Sequence, residues 1–178
     1  PATTADLRRA FLPGLAFDMI ATRLSDDAVR GTAEFRTADS YSLDPVRPLA
    51  VPAVWLEADP SAAAATIDSL MVEFERVARY GFDDNELQRA LDGYRSAVES
   101  AHESRDTVQD YRYADDMVDH YLMGASISSA DFEYETWMTI LDSVTATDVN
   151  LAIDLLVEAS APNLFVSVPD GTEVPSEA

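Results

Sequence analysis

The chain has 178 residues and a mass of 19.5 kDa, the size of one ordinary domain with room for a real core. Its 33 acidic side chains stand against 12 cations, all of them arginine, for a formal net charge of -21. Phosphate backbones and anionic membrane surfaces need positive charge to displace or attract ions, so the balance argues against nucleic acid and lipid as partners.

Hydrophobic residues make up 47% of the chain and aromatics 9%, which places it among folded proteins rather than disordered ones. Cysteine is absent. Disulfides, thiolate metal ligands and a cysteine nucleophile are therefore excluded, and the compartment is left open. No apolar run approaches the ~20 residues that cross a bilayer and no signal peptide opens the chain, so no membrane insertion is expected. The first residue is Pro1 rather than Met, which reads as an N-terminus cut from something longer. Two explanations fit the missing lysine. One is a base-composition bias that replaces Lys with Arg; the other is adaptation to a salty medium, where ions screen the self-repulsion of so acidic a surface.

Residues 4–30 read as helical, with Leu15, Met19, Ile20 and Leu24 on one face and Asp18, Arg23 and Asp27 on the other. Pro13 starts or kinks this helix and Gly31 ends it. Residues 32–43 alternate loosely and read as a strand, Asp44 to Pro48 as a turn, and Val51 to Ala58 as a second strand, with Pro52 favouring an edge. Asp59-Pro60 is a helix start, after which Ile67, Leu70, Met71, Phe74, Val77 and Ala78 give an apolar face.

Arg79 to Leu87 reads as a sharp corner between two helices. Gly81 supplies the left-handed conformation that closes the first. Asp83 caps the second, Glu86 completes a capping box, and Phe82 and Leu87 form a hydrophobic staple. Leu87, Leu91, Tyr94 and Val98 carry the helical period onward to a break at residues 103–107. It resumes through Tyr113, Met117, Val118 and Tyr121 to Gly124. A loop at 125–130 precedes a helix with Phe132, Trp137, Ile140 and Leu141. Thr145 and Asp148 form a second capping signature before Val149, Ile153 and Leu156. Leu164 to Val168 reads as a last strand.

The order predicts an α+β fold, a mostly antiparallel sheet packed against a layer of helices. Three strands are few for so many helices, and a first strand missing from the N-terminus would repair the imbalance. Residues 1–170 are expected to form this one domain, truncated at its N-terminus, with 171–178 a polar, frayed tail.

The candidate chemistry is sparse. His102 and His120 lie in neither an HExxH nor an HxxEH arrangement, and Asp116 to His120 has the spacing of an ordinary ion pair on a helix. Asp115, Asp116 and Asp119 form a DDxxD run of the kind that shares a hard cation. In so acidic a chain, without cations for a diphosphate, it reads as a solvated helix face. Ser126, Ser128 and Ser129 have no histidine base close in sequence. Trp55, Trp137, Tyr111, Tyr113, Tyr121 and Tyr134 read as core and packing residues rather than a stacking platform, since no basic groove accompanies them. No catalytic, cofactor-binding or metal-binding residue is assigned to this chain.

Several stretches, taken in order, resemble a known family: residues 19–31 (MIATRLSDDAVRG), 76–91 (RVARYGFDDNELQRAL), 103–107 (ESRDT), 144–156 (VTATDVNLAIDLL) and 163–170 (NLFVSVPD). They are similar to the pitrilysin/insulinase family of zinc metallopeptidases. The resemblance implies related α+β domains in two bowl-like halves that enclose a peptide. The zinc motif HxxEH lies in the first domain, where the metal polarises the carbonyl and activates water with the motif's glutamate as base. This chain lacks HxxEH and looks like the domain after it, a non-catalytic part of the chamber wall. The implied cofactor is zinc bound outside this chain. The implied partners are the rest of the parent polypeptide or a partner subunit, and a peptide substrate. Two further readings stay open: an inactive homologue or partner subunit acting as scaffold, and an acidic module that binds basic peptides.

Overall fold

A computed structural model describes residues 3–46, 49–159 and 163–171. The first helix, α1 (Thr4–Arg30), is the axis of the molecule: it packs against both strands and against four other helices. Thr3 caps its start by accepting from the Asp6 N–H, and Gly31 closes it at φ 71°, a value that favours glycine. The helix runs through Pro13 rather than starting there. Leu15, Met19, Ile20 and Leu24 are all buried, as their spacing requires. Asp18 and Arg23, expected on the solvent side, are half-buried instead, because each is held by partners from other elements.

Strands β1 (Phe35–Val46) and β2 (Leu49–Ala58) form an antiparallel pair with Ser40 opposite Val54 and Ser42 opposite Pro52. The first strand starts three residues later than its sequence suggests and extends through Val46; Arg47 and Pro48 lie outside the described residues. In a two-stranded sheet both strands are edges, so Pro52 costs the ladder little. One face packs Ala38, Val54 and Leu56 towards α1. The other leaves Tyr41, Leu43, Val51 and Trp55 exposed.

Asp59-Pro60 opens a 3-10 turn (Pro60–Ala62), and α2 (Ala63–Tyr80) follows. Asp59 does not cap it, because its carboxylate pairs with Arg36 across the strand end. The buried face of α2 is Thr66, Glu73 and Val77; Met71 is exposed, a correction to the face expected from hydrophobicity alone. Helix α3 (Asp84–Glu103) ends at the expected break in a 3-10 turn (Arg105–Thr107). Helix α4 (Asp110–Met123) buries no residue, so Tyr113, Met117, Val118 and Tyr121 sit on an uncovered surface. Helices α5 (Ala130–Ser143) and α6 (Ala146–Ala159) bury Ile140, Leu141, Val149 and Ile153 against α1, while Phe132 is exposed.

The third expected strand does not form. Leu164, Phe165 and Val166 lie in irregular, solvent-exposed chain, because among the described residues no strand pairs with them. The fold class stands as α+β, with its helices packed on a smaller sheet than the sequence suggests. Residues 172–178, expected to be a frayed tail, lie outside the described residues.

Candidate functional site

Two recesses and one buried polar hub are built by these elements. The hub is the corner between α2 and α3. Gly81 sits at φ 66°, ψ -159°, a combination essentially confined to glycine rather than the left-handed helical one. Space forbids a side chain there as well, since a Cβ would lie 2.7 Å from the Asn150 amide nitrogen. Asn150, from α6, clamps the corner by accepting from the Phe82 N–H at 2.8 Å and donating to the Phe82 carbonyl at 3.3 Å. The expected capping box is complete. Asp83 accepts from the N–H groups of Asn85 and Glu86, and Glu86 accepts from the Asp83 N–H at 3.0 Å. Phe82 and Leu87 are both buried, consistent with the staple.

Arg23 reaches into this corner from α1. Its guanidinium donates to both Glu86 oxygens at 2.7 and 2.8 Å, to Glu73 at 2.9 Å and to the Gly81 carbonyl at 3.0 Å, and lies over the Phe82 ring. Arg76 donates to the second Glu73 oxygen at 2.7 Å, so a carboxylate only 2% exposed keeps two cationic partners. Bonding to Glu86 raises the Arg23 pKa, and the same contact holds the Glu86 carboxyl below its ordinary value. Arg23, Arg30, Arg76 and Arg89 line an adjoining polar recess of about 410 Å³ with Asp26, Asp27 and Glu86. Four arginines thus face three carboxylates in the recess, and Glu73, buried beside it, is the further anion that Arg23 and Arg76 share. Sequence reasoning missed Glu73 as a buried group. Its signal was available, since it falls between Leu70 and Val77 on the helical period.

The second recess is apolar. A cavity of about 340 Å³ opens between α3, α5 and the start of α1, walled by Phe11, Tyr94, Tyr134 and Trp137. Phe11 packs edge-on against Tyr94 at 5.0 Å and Trp137 at 5.4 Å. Burial raises the Tyr94 pKa, and its hydroxyl donates to Asp18, which also accepts from Ser40 on β1. His102 lines the cavity, stacked on Tyr134 at 4.6 Å and hydrogen-bonded to Asp131 at 2.6 Å. That bond holds the Asp131 carboxyl below its ordinary range. Trp137 and Tyr134 thus pack as expected, whereas Trp55, Tyr111, Tyr113 and Tyr121 are exposed and belong to no core.

The structure does not bring the remaining candidates into a reactive constellation. His120 donates its Nδ1–H to the Ala125 carbonyl at 2.7 Å, closing the end of α4, rather than pairing with Asp116 as its spacing suggests. Ser129 caps α5 by accepting from the Phe132 N–H, and Ser128 donates to Glu133. Asp115, Asp116 and Asp119 lie exposed along α4. Among the described residues no group of three or more His, Asp or Glu is placed to hold a metal ion, and the donors present do not fit a zinc site. Nor is any helix among them long and apolar enough to cross a membrane.

The chain is similar to the first half of the periplasmic protease PqqL from Escherichia coli, with a TM-score of 0.78 over 88% of this chain at 11% identity. It has the fold of one part of that protease. Against the structure of PqqL itself the TM-score is 0.72 at 13% identity over 86% of this chain. The chain spans 34% of the first PqqL chain and 17% of the second. At these identities the likeness to PqqL is one of fold. No family model matches the chain, and no curated protein matches it in sequence.

Proposed function

We propose that this chain is the non-catalytic, chamber-forming domain of a zinc-dependent metalloendopeptidase of the pitrilysin/insulinase type. The observation that carries the reading is the fold shared with the first half of a periplasmic protease across 88% of this chain. The order of the motifs from residue 19 to residue 170 supports it. So do the uncovered apolar surfaces on the sheet (Tyr41, Leu43, Val51, Trp55) and on α4 (Tyr113, Met117, Tyr121), which suit a domain covered by other parts of a larger protein. In this reading the domain encloses peptide, and zinc is held outside it, in the parent polypeptide or a partner subunit. Its net charge of -21 favours basic peptide segments.

The test is made on the parent protein, with zinc content and peptide hydrolysis measured together. The proposal expects stoichiometric zinc, chelator-sensitive hydrolysis, and a lower kcat/KM with retained zinc when this domain is removed. A parent without zinc or hydrolysis would make the chain part of an inactive scaffold subunit. Salt-sensitive capture of basic peptides by this chain, with no protease attached to it, would favour the acidic binding module.

A further inference from the structure

The apolar cavity between α3 and α5 is open to solvent and lined in part by small side chains. Ala97 and Ala101, one turn apart on α3, and Ala130 at the start of α5 line the gap, and the aromatic rings stand around it. At about 340 Å³ it lies at the small end of ligand pockets, enough for one ring-sized side chain and too little for a cofactor. Its walls are ring faces and edges, which reward an aromatic guest beyond the area it buries. Its lining includes Glu133, an exposed residue on the same helix as Asp131 whose carboxylate accepts from the Ser128 hydroxyl through one oxygen. Beside them, the Arg105 guanidinium donates to the His102 carbonyl at 2.8 Å and acts on the Asp131 carboxylate. With Asp131 paired to His102, Glu133 is the carboxylate that this rim can offer to a cation beside the guest.

We infer that this cavity anchors one aromatic side chain of a peptide, with a basic neighbouring residue held by Glu133. The inference rests on the reading of the chain as a peptide-enclosing domain and names the segment that domain prefers. An aromatic ring filling the cavity strengthens binding by roughly ten- to a hundredfold, and the basic neighbour adds a salt-sensitive contribution.

The experiment uses the 178-residue chain with Trp55→Phe, which leaves Trp137 in the cavity wall as its one tryptophan. Trp137 emission is titrated with capped tripeptides. The expected result is a saturable change with arginine-phenylalanine-arginine, at least tenfold weaker with arginine-alanine-arginine and with glutamate-phenylalanine-glutamate. Filling the cavity with Ala101→Leu should abolish the change while circular dichroism stays as before. Should that variant not fold, Glu133→Gln serves instead: it should weaken the arginine peptide and leave serine-phenylalanine-serine unaffected. Equal binding of the alanine peptide would overturn the inference, because surface charge alone would then explain capture. So would phenethylamine binding as tightly as the peptide, which would make this a site for free aromatic amines. Neither failure touches the zinc content of the parent, so the two readings fail separately.

Discussion

Replacing Gly81 by alanine perturbs the corner that joins α2 to α3, and its cost can be built from the geometry. The backbone at φ 66°, ψ -159° costs a non-glycine residue about 1–3 kcal/mol. The new Cβ also meets the Asn150 side chain at 2.7 Å, which must move and give up its two hydrogen bonds to Phe82, at about 1 kcal/mol each. Alanine lowers the unfolded chain's entropy, which returns about 0.4–1 kcal/mol. The net is a loss of about 2–4.5 kcal/mol, a fall in Tm of roughly 4–18 °C for a domain of this size. Urea unfolding followed by circular dichroism measures it. The decisive comparison is the double variant with Asn150→Ala. If Gly81→Ala already expels Asn150, the double variant is no less stable than Gly81→Ala alone. Additive costs, within about 0.5 kcal/mol, would refute the clash and the clamp together.

Other consequences follow from the polar cross-links and the core. Arg23→Met leaves Glu73 buried with Arg76 as its one cation, and should cost about 2–4 kcal/mol, less than a fully buried pair because Arg23 is partly exposed; adding Glu73→Gln should restore part of that loss in urea unfolding. The folded-state pKa values of Glu86 and Asp148 both lie below their ordinary 4.5 and 3.8, the first through Arg23 and the second through Thr145 and Arg8. Their contributions are therefore present above the unfolded pKa and disappear as pH falls through the folded one. The stability gap between the native chain and Glu86→Gln should be constant near neutrality and close below about pH 4; a gap that widens on acidification would reverse the assignment. Leu15→Ala, at a fully buried site, should cost about 2–5 kcal/mol, whereas Met117→Glu on the open face of α4 should change unfolding by less than about 0.5 kcal/mol.

Much of the local structure could be read from the chain, for reasons tied to short range. The box at Asp83 and Glu86 and the pair at Thr145 and Asp148 need only residues three apart, so spacing suffices to see them. The break after Glu103 was equally visible as a lapse in the apolar period. What spacing could not show depends on distant residues. Arg23 with Glu73 and Glu86, Asn150 with Phe82, and Tyr94 with Asp18 join positions far apart in sequence, and they bury polar groups that a hydrophobicity pattern assigns to solvent. Leu164 to Val168 has the composition of a strand, but a strand needs a partner, and propensity does not supply one. The aromatic cavity was out of reach for the same reason: its lining comes from α1, α3 and α5 together.

The proposal that this domain serves a zinc peptidase without holding its zinc is tested most directly by determining whether a domain of roughly 200 residues precedes Pro1 in the natural polypeptide, and which motif it carries. The expected result is an HxxEH motif followed by a downstream glutamate. The same fold without that motif would contradict the catalytic parent and leave an inactive subunit, and an unrelated domain would remove the protease reading altogether.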